Sequence, residues 1–117
     1  MKASRSRKIG LEVTYERRKG SLVGFQVLGH AGFARAGRDI VCAAISALVL
    51  STAYGLRVHC RAAPVIADTP ARYALSLSRP GNARAQAVLE TMVSGLGAIA
   101  KSYPAYLRVK QGRVSPS

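Results

Sequence analysis

At 117 residues the chain is the size of one domain; 49% of it is hydrophobic and it carries two cysteines, enough for a modest core without a disulfide framework. Eighteen Lys and Arg stand against five acids, Glu12, Glu16, Asp39, Asp68 and Glu90, too few to favour paired-carboxylate glycosidase chemistry or a carboxylate-rich calcium or magnesium site. The net charge of +13 suits a nucleic-acid partner and suits a solvated basic face equally well, because the basic residues are scattered along the chain.

The first eight residues, MKASRSRK, form a basic arm without the apolar run of a secretory signal, which points to the cytoplasm and to reduced thiols. Next, Ile9, Leu11, Val13 and Tyr15 alternate with polar or small residues, RRKGS turns the chain, and Val23, Phe25 and Val27 resume the alternation. Residues 9–30 therefore read as a hairpin with His30 at the end of its second strand. AGFARAG has two glycines and no periodicity, and reads as a loop. Asp39 then stands as the N-cap of a helix, its carboxylate placed to accept the N–H of Val41 or Cys42, with Gly55 as the C-terminal cap.

The run from Ile40 to Leu56 is seventeen residues and apolar almost all round; the expectation is a central buried helix rather than a membrane span. LRVHCRA and ARYALSLS read as two strands, the second with Tyr73, Leu75 and Leu77 on one face. Asn82 caps a second helix, in which Ala85, Val88, Leu89, Met92, Leu96 and Ile99 keep helical spacing. AYLRVK, after Pro104, reads as the last strand. The expected architecture is α+β in the order ββαββαβ, two helices on a mixed sheet in two layers. It forms one domain over residues 1–117, with a flexible basic arm at 1–8 and a frayed tail at 112–117.

With Asp39 as cap, Cys42 is the third helical residue, where the helix dipole and unpaired N–H groups favour a thiolate. That position makes it a candidate nucleophile, with the Cys42 N–H as the nearest oxyanion donor, and His30 across a glycine-bearing loop is its candidate base. Gly32 and Gly37 are hinge candidates for a loop from Ala31 to Arg38, and Gly29, Gly32 and Gly37 are candidate oxyanion or loop positions. Against this stands a plainer reading, Cys42 as a small buried hydrophobe and His30 as a polar strand end. His59 and Cys60 are adjacent on a predicted strand and point to opposite faces, and no paired Cys or His spacing is present, so neither a metal nor a cofactor is expected. Cys60 is expected in the core. A non-enzymatic module binding ribosomal RNA is the alternative, weakened by five tyrosines and two phenylalanines with no stacking motif among the basic residues.

GHAGFARAGRDIVCAAISAL resembles the pattern G-H-A, short loop, G-x-D-I-V-C-A-A-x-S-A-L of the ribosomal-processing cysteine protease family Prp. IAKSYPAYLRV, residues 99–109, is similar to that family's closing helix-to-strand segment, and the resemblance in order covers roughly residues 9–110. It implies a cysteine endopeptidase that trims the N-terminal extension of a large-subunit ribosomal protein, number twenty-seven, during ribosome assembly. It further implies a homodimer that cleaves beside paired aromatics. The motif's catalytic pair falls on His30 and Cys42, its Asp on Asp39 and its Ser on Ser46. Ser46, one turn beyond Cys42, either lines the site or bonds a backbone carbonyl, and the second is the expectation.

Overall fold

The computed structural model describes residues 10–29 and 36–115, with the backbone alone at 36–39. Strands β1 (Leu11–Arg18) and β2 (Ser21–Gly29) form the hairpin that the alternation predicts. Its two turn residues, Lys19 and Gly20, have φ of 54° and 86°. Two positive φ values in succession match the twist of the flanking strands, and glycine takes the second at no steric cost.

Helix α1 (Ala36–Val58), strands β3 (Val65–Thr69) and β4 (Arg72–Ser76), helix α2 (Ala83–Ser102) and strand β5 (Leu107–Gln111) follow, in the expected order ββαββαβ. The sheet runs β3-β4-β2-β1-β5, antiparallel throughout except for the parallel pair β1 and β5. The register sets Leu11 beside Leu107, Val13 beside Val27 and Phe25 beside Leu75. Val41, Ile45, Val49 and Leu56 of α1 and Ala85, Leu89, Met92 and Leu96 of α2 join Val13, Phe25, Leu75 and Leu107 in one core.

Two side chains of α2 fasten it to the hairpin. Strand β2 is bulged at Val23: Glu16 pairs with Gly24, while Arg17 pairs with Leu22. There the Leu22 N–H donates to Gln86 Oε1 (2.9 Å), and Gln86 Nε2 donates to the carbonyls of Leu22 and Pro80 (both 2.8 Å). One turn on, Arg17 donates to both oxygens of Glu90, at 2.7 and 3.0 Å. Asn82 caps α2 as expected, its Oδ1 accepting the Ala85 N–H at 2.9 Å.

Several expectations are corrected. Helix α1 begins at Ala36, so Asp39 lies inside its first turn and is not the N-cap. Gly37, assigned to the loop, is also helical. At the other end Gly55 is interior, and the helix runs to Val58; Cys60 N–H closes on the Gly55 carbonyl (3.0 Å) and Ala62 N–H on that of Leu56 (2.8 Å), with Arg61 at φ 55°. LRVHCRA is therefore the end of α1 and its cap, not a strand. The physical reason is phase: Leu56 is fully buried and Cys60 is 5% exposed, four residues apart as a helix requires, whereas Val58, which a strand would bury with them, is 47% exposed. The third strand lies instead in VIADT, between Pro64 and Pro70.

Helix α1 is also not buried all round. Ile40, Leu50, Tyr54 and Val58 are exposed. By length and composition Ile40–Val58, 19 residues, is long and apolar enough to cross a membrane; its inner stripe joins the core, as in a core helix. The tail is placed as far as Ser115. Gly112 N–H bonds the Tyr15 carbonyl (2.9 Å), Val114 N–H bonds Glu16 Oε1 (3.1 Å), and Arg72 Nη2 donates to the Ser115 carbonyl. Those contacts carry the chain across the sheet face opposite the helices.

The Arg17–Glu90 pair predicts a pH-dependent increment of stability. Hydrogen bonding from Arg17 holds the Glu90 carboxyl below its ordinary value. The increment is therefore complete above the unfolded carboxyl pKa of about 4.3 and disappears as pH falls through the lower folded value. Because Glu90 is 46% exposed, Glu90→Gln should cost about 1 kcal/mol or less. Thermal melts from pH 7 downward should show the wild-type advantage constant near neutrality and shrinking in acid; an advantage that grows or stays constant as the pH falls below about 4.3 contradicts the account.

Candidate active site

Cys42 owes its setting to the phase of α1. At 100° per residue, Val41, Ile45, Val49, Ala53 and Leu56 line one stripe and are buried. Cys42 sits at the margin of that stripe and is half-buried. It opens into a groove of about 200 Å³ between α1 and the sheet, walled by Ile45 and Ser46 on the helix side and by Leu11, Val27, Gly29 and Tyr73 on the sheet side. The β3–β4 turn, from Thr69 to Arg72, closes the end. A second hollow of about 250 Å³ shares Val27, Ile45, Ser46 and Tyr73 and extends it to Val49, Leu50 and Asp68. Together they make one trough along α1 with Cys42 at one end and Asp68 towards the other.

Gly29, a candidate loop or oxyanion position, ends β2 and lines the groove; its N–H bonds the Ala71 carbonyl (3.2 Å), and a Cβ there would run into the Leu11 side chain. That N–H is thus spent on the β3–β4 turn. His30, the next residue, and Gly32 lie outside the described residues, and Asp39 is described only in its backbone. Ser46 is exposed and lines the groove with Cys42; further along the helix Thr52 Oγ1 donates to the Leu48 carbonyl one turn back (2.7 Å).

The longer helix changes the electrostatic argument for Cys42. It is the seventh residue of α1, in the second turn, where dipole effects have largely decayed. The unpaired N–H groups of a helix are those of its first turn, ahead of Cys42. The Cys42 N–H is therefore engaged within the helix and is not the oxyanion donor that the sequence suggested.

Tyr73 forms the sheet wall. It stacks on Phe25 with centroids 6.3 Å apart. Burial, then the Asp68 carboxylate opposite it on β3, pushes its phenol upward in pKa, so it presents a neutral O–H at physiological pH. Nothing local in ARYALSLS marks Tyr73 or Leu11 as site residues; only the register places them there. His59 lies at the far end of α1 against the Tyr54 ring, 5.8 Å between centroids. Among the described residues no three of His, Cys, Asp and Glu come together.

A family model for cysteine protease Prp matches residues 11–108. No curated protein matches the chain. Among solved structures, SMU.848 from Streptococcus mutans is similar with TM-score 0.82 and 27% identity over 91% of this chain and 97% of that one. The essential ribosomal processing protease Prp from S. aureus, in complex with a substrate peptide, is similar with TM-score 0.81 and 23% identity over 87% and 99%. The same protease with a covalently linked product peptide gives 0.79 and 24% over 87% and 99%. At those identities the S. aureus structures establish a shared fold.

The two thiols should react unequally. Cys42 opens on the groove and Cys60 is buried in the core. Stoichiometric iodoacetamide near neutral pH, read by peptide mass spectrometry, should modify Cys42 well before Cys60. Equal rates, or labelling of Cys60 first, contradict the placement.

Proposed function

Because the chain belongs to the cysteine protease family Prp, we propose that it is a cytoplasmic endopeptidase that removes the N-terminal extension of large-subunit ribosomal protein twenty-seven during ribosome assembly. The observation that carries this reading is that Cys42 and Gly29, the chain neighbour of His30, line one groove. A peptide laid in it puts its scissile carbonyl at the sulfur. His30 takes the thiol proton as Cys42 attacks and returns it to the leaving amine; water then cleaves the thioester with His30 as base. Asp39, one turn ahead of Cys42, orients the imidazole, and Ser46 contacts the peptide. The apolar walls Leu11, Val27, Ile45 and Tyr73 suit the aromatic side chains of such a substrate.

We also infer that the protein works as a homodimer. Ile40, Ala43, Ala47 and Tyr54 lie exposed on α1 at spacings of three, four and seven, the narrow apolar seam through which two helices pack. The alanines let two copies of α1 approach closely. The net charge of +13 supports work beside ribosomal RNA, whose phosphates attract such a surface.

Single-turnover cleavage of a peptide spanning the extension tests the chemistry. His30→Ala should lose about 10³-fold or more in rate with an unchanged melt. Asp39→Asn should lose less and should also leave the melt unchanged, since Asp39 is not the cap. Near-normal cleavage by His30→Ala would sink the dyad. For the dimer, light scattering should give twice the chain mass for the wild type and one chain mass for Ala47→Glu, which puts a charge in the seam; a monomeric wild type removes the proposal.

A further inference from the structure

Of the five acids, Glu12 lies within ion-pair distance of Arg108 and Lys110, Glu16 of Arg18, and Glu90 of Arg17. Asp68 makes no ion pair among the described residues, in a chain with eighteen Lys and Arg. It stands on β3 across from Tyr73 and lines the trough beyond Cys42 together with Val49 and Leu50. Every other named wall of that hollow except Ser46 is apolar or aromatic. A carboxylate at the rim of an apolar trough, without a salt-bridge partner among the described residues, is electrostatically complementary to a cation that arrives from outside.

Resting on the protease reading, we propose that Asp68 is a specificity determinant that takes a lysine or arginine side chain of the substrate peptide, its aliphatic stem lying along Val49 and Leu50. The helix sets where that residue must be. Ser46, Val49 and Leu50 are one to two turns from Cys42, roughly 6–12 Å at 1.5 Å per residue. An extended peptide covers about 3.3 Å per residue. The recognised base therefore sits about two to four residues from the scissile bond, on the side of the bond that lies over Ser46. Lysine and arginine suit the site because the stem buries against the apolar wall while the charged head stays at the wet rim.

The test uses the full-length protein and the extension peptide, with Lys, Ala or Glu placed in turn at each position two to four residues on either side of the scissile bond. Cleavage by the wild type is measured alongside binding to Cys42→Ala by fluorescence anisotropy. Lys at one such position should improve both kcat/KM and affinity about two- to fivefold over Ala, as expected for a partly screened charge pair. Asp68→Asn should erase the preference, bringing the Lys and Ala peptides to the same kcat/KM. Asp68→Lys should invert it in favour of Glu, which a purely structural role for Asp68 would not do. A Lys preference unchanged in Asp68→Asn, or none at any position, overturns the proposal while leaving the protease reading intact. Failure of the wild type to cleave any peptide, with Asp68-dependent binding still present, overturns the protease reading and leaves the cation site standing.

Discussion

The rotational phase of α1 governs the molecule. Val41, Ile45, Val49, Ala53 and Leu56 must all meet the sheet, because exposing that stripe would forfeit most of the core contributed by this helix. Satisfying them leaves no freedom in where the intervening residues point. Cys42, about 100° round from Val41 and 60° from Ile45, is held at the seam between helix and sheet, half in the core and half in the groove. A thiol so placed has its sulfur positioned by packing several residues along the chain, and its orientation is as firm as the core itself.

The same phase has two further consequences. It turns Ser46 and Leu50 to the trough and leaves Ile40, Ala43, Ala47 and Tyr54 facing away from the core, so that one helix supplies the half-buried thiol, a wall of the trough and an apolar outer seam. The opposite wall is supplied by register rather than by sequence neighbours. Pairing of β2 with β4 puts Val27 beside Tyr73, and pairing of β4 with β3 puts Asp68 beside Tyr73. The β3–β4 turn is tied to the end of β2 by the Gly29–Ala71 hydrogen bond. A one-residue slip in either pairing would turn these side chains to the other face and dismantle the groove.

What could be read from the residues follows the range of the forces involved. The hairpin with its Lys-Gly turn, helix α2 with its Asn82 cap and the order of elements were legible because alternation, helical spacing and capping are local. The start of α1 was not: Asp39 is a good cap residue, but the helix extends a full turn further, through Gly37. Its end was misread because Leu56, Val58 and Cys60 satisfy a two-residue period as well as Leu56 and Cys60 satisfy a helical one, and only burial decides between them. The family motif around Cys42 was legible in the residues. The trough was not, because Leu11, Tyr73 and Asp68 reach it only through strand pairing. Nor was the pinned tail, which depends on Arg72 reaching the Ser115 carbonyl across the sheet.

The central claim is that packing of α1 presents the Cys42 sulfur to a peptide's scissile carbonyl. Its most direct test is a substrate-length peptide carrying an electrophilic ketone in place of that carbonyl, followed by intact-mass and fragment analysis of the adduct. The account predicts one equivalent of peptide bound covalently to Cys42, and none on a Cys42→Ser variant whose melt is unchanged. A covalent adduct on Cys60, or none on a folded wild-type protein that still binds the peptide, would contradict it.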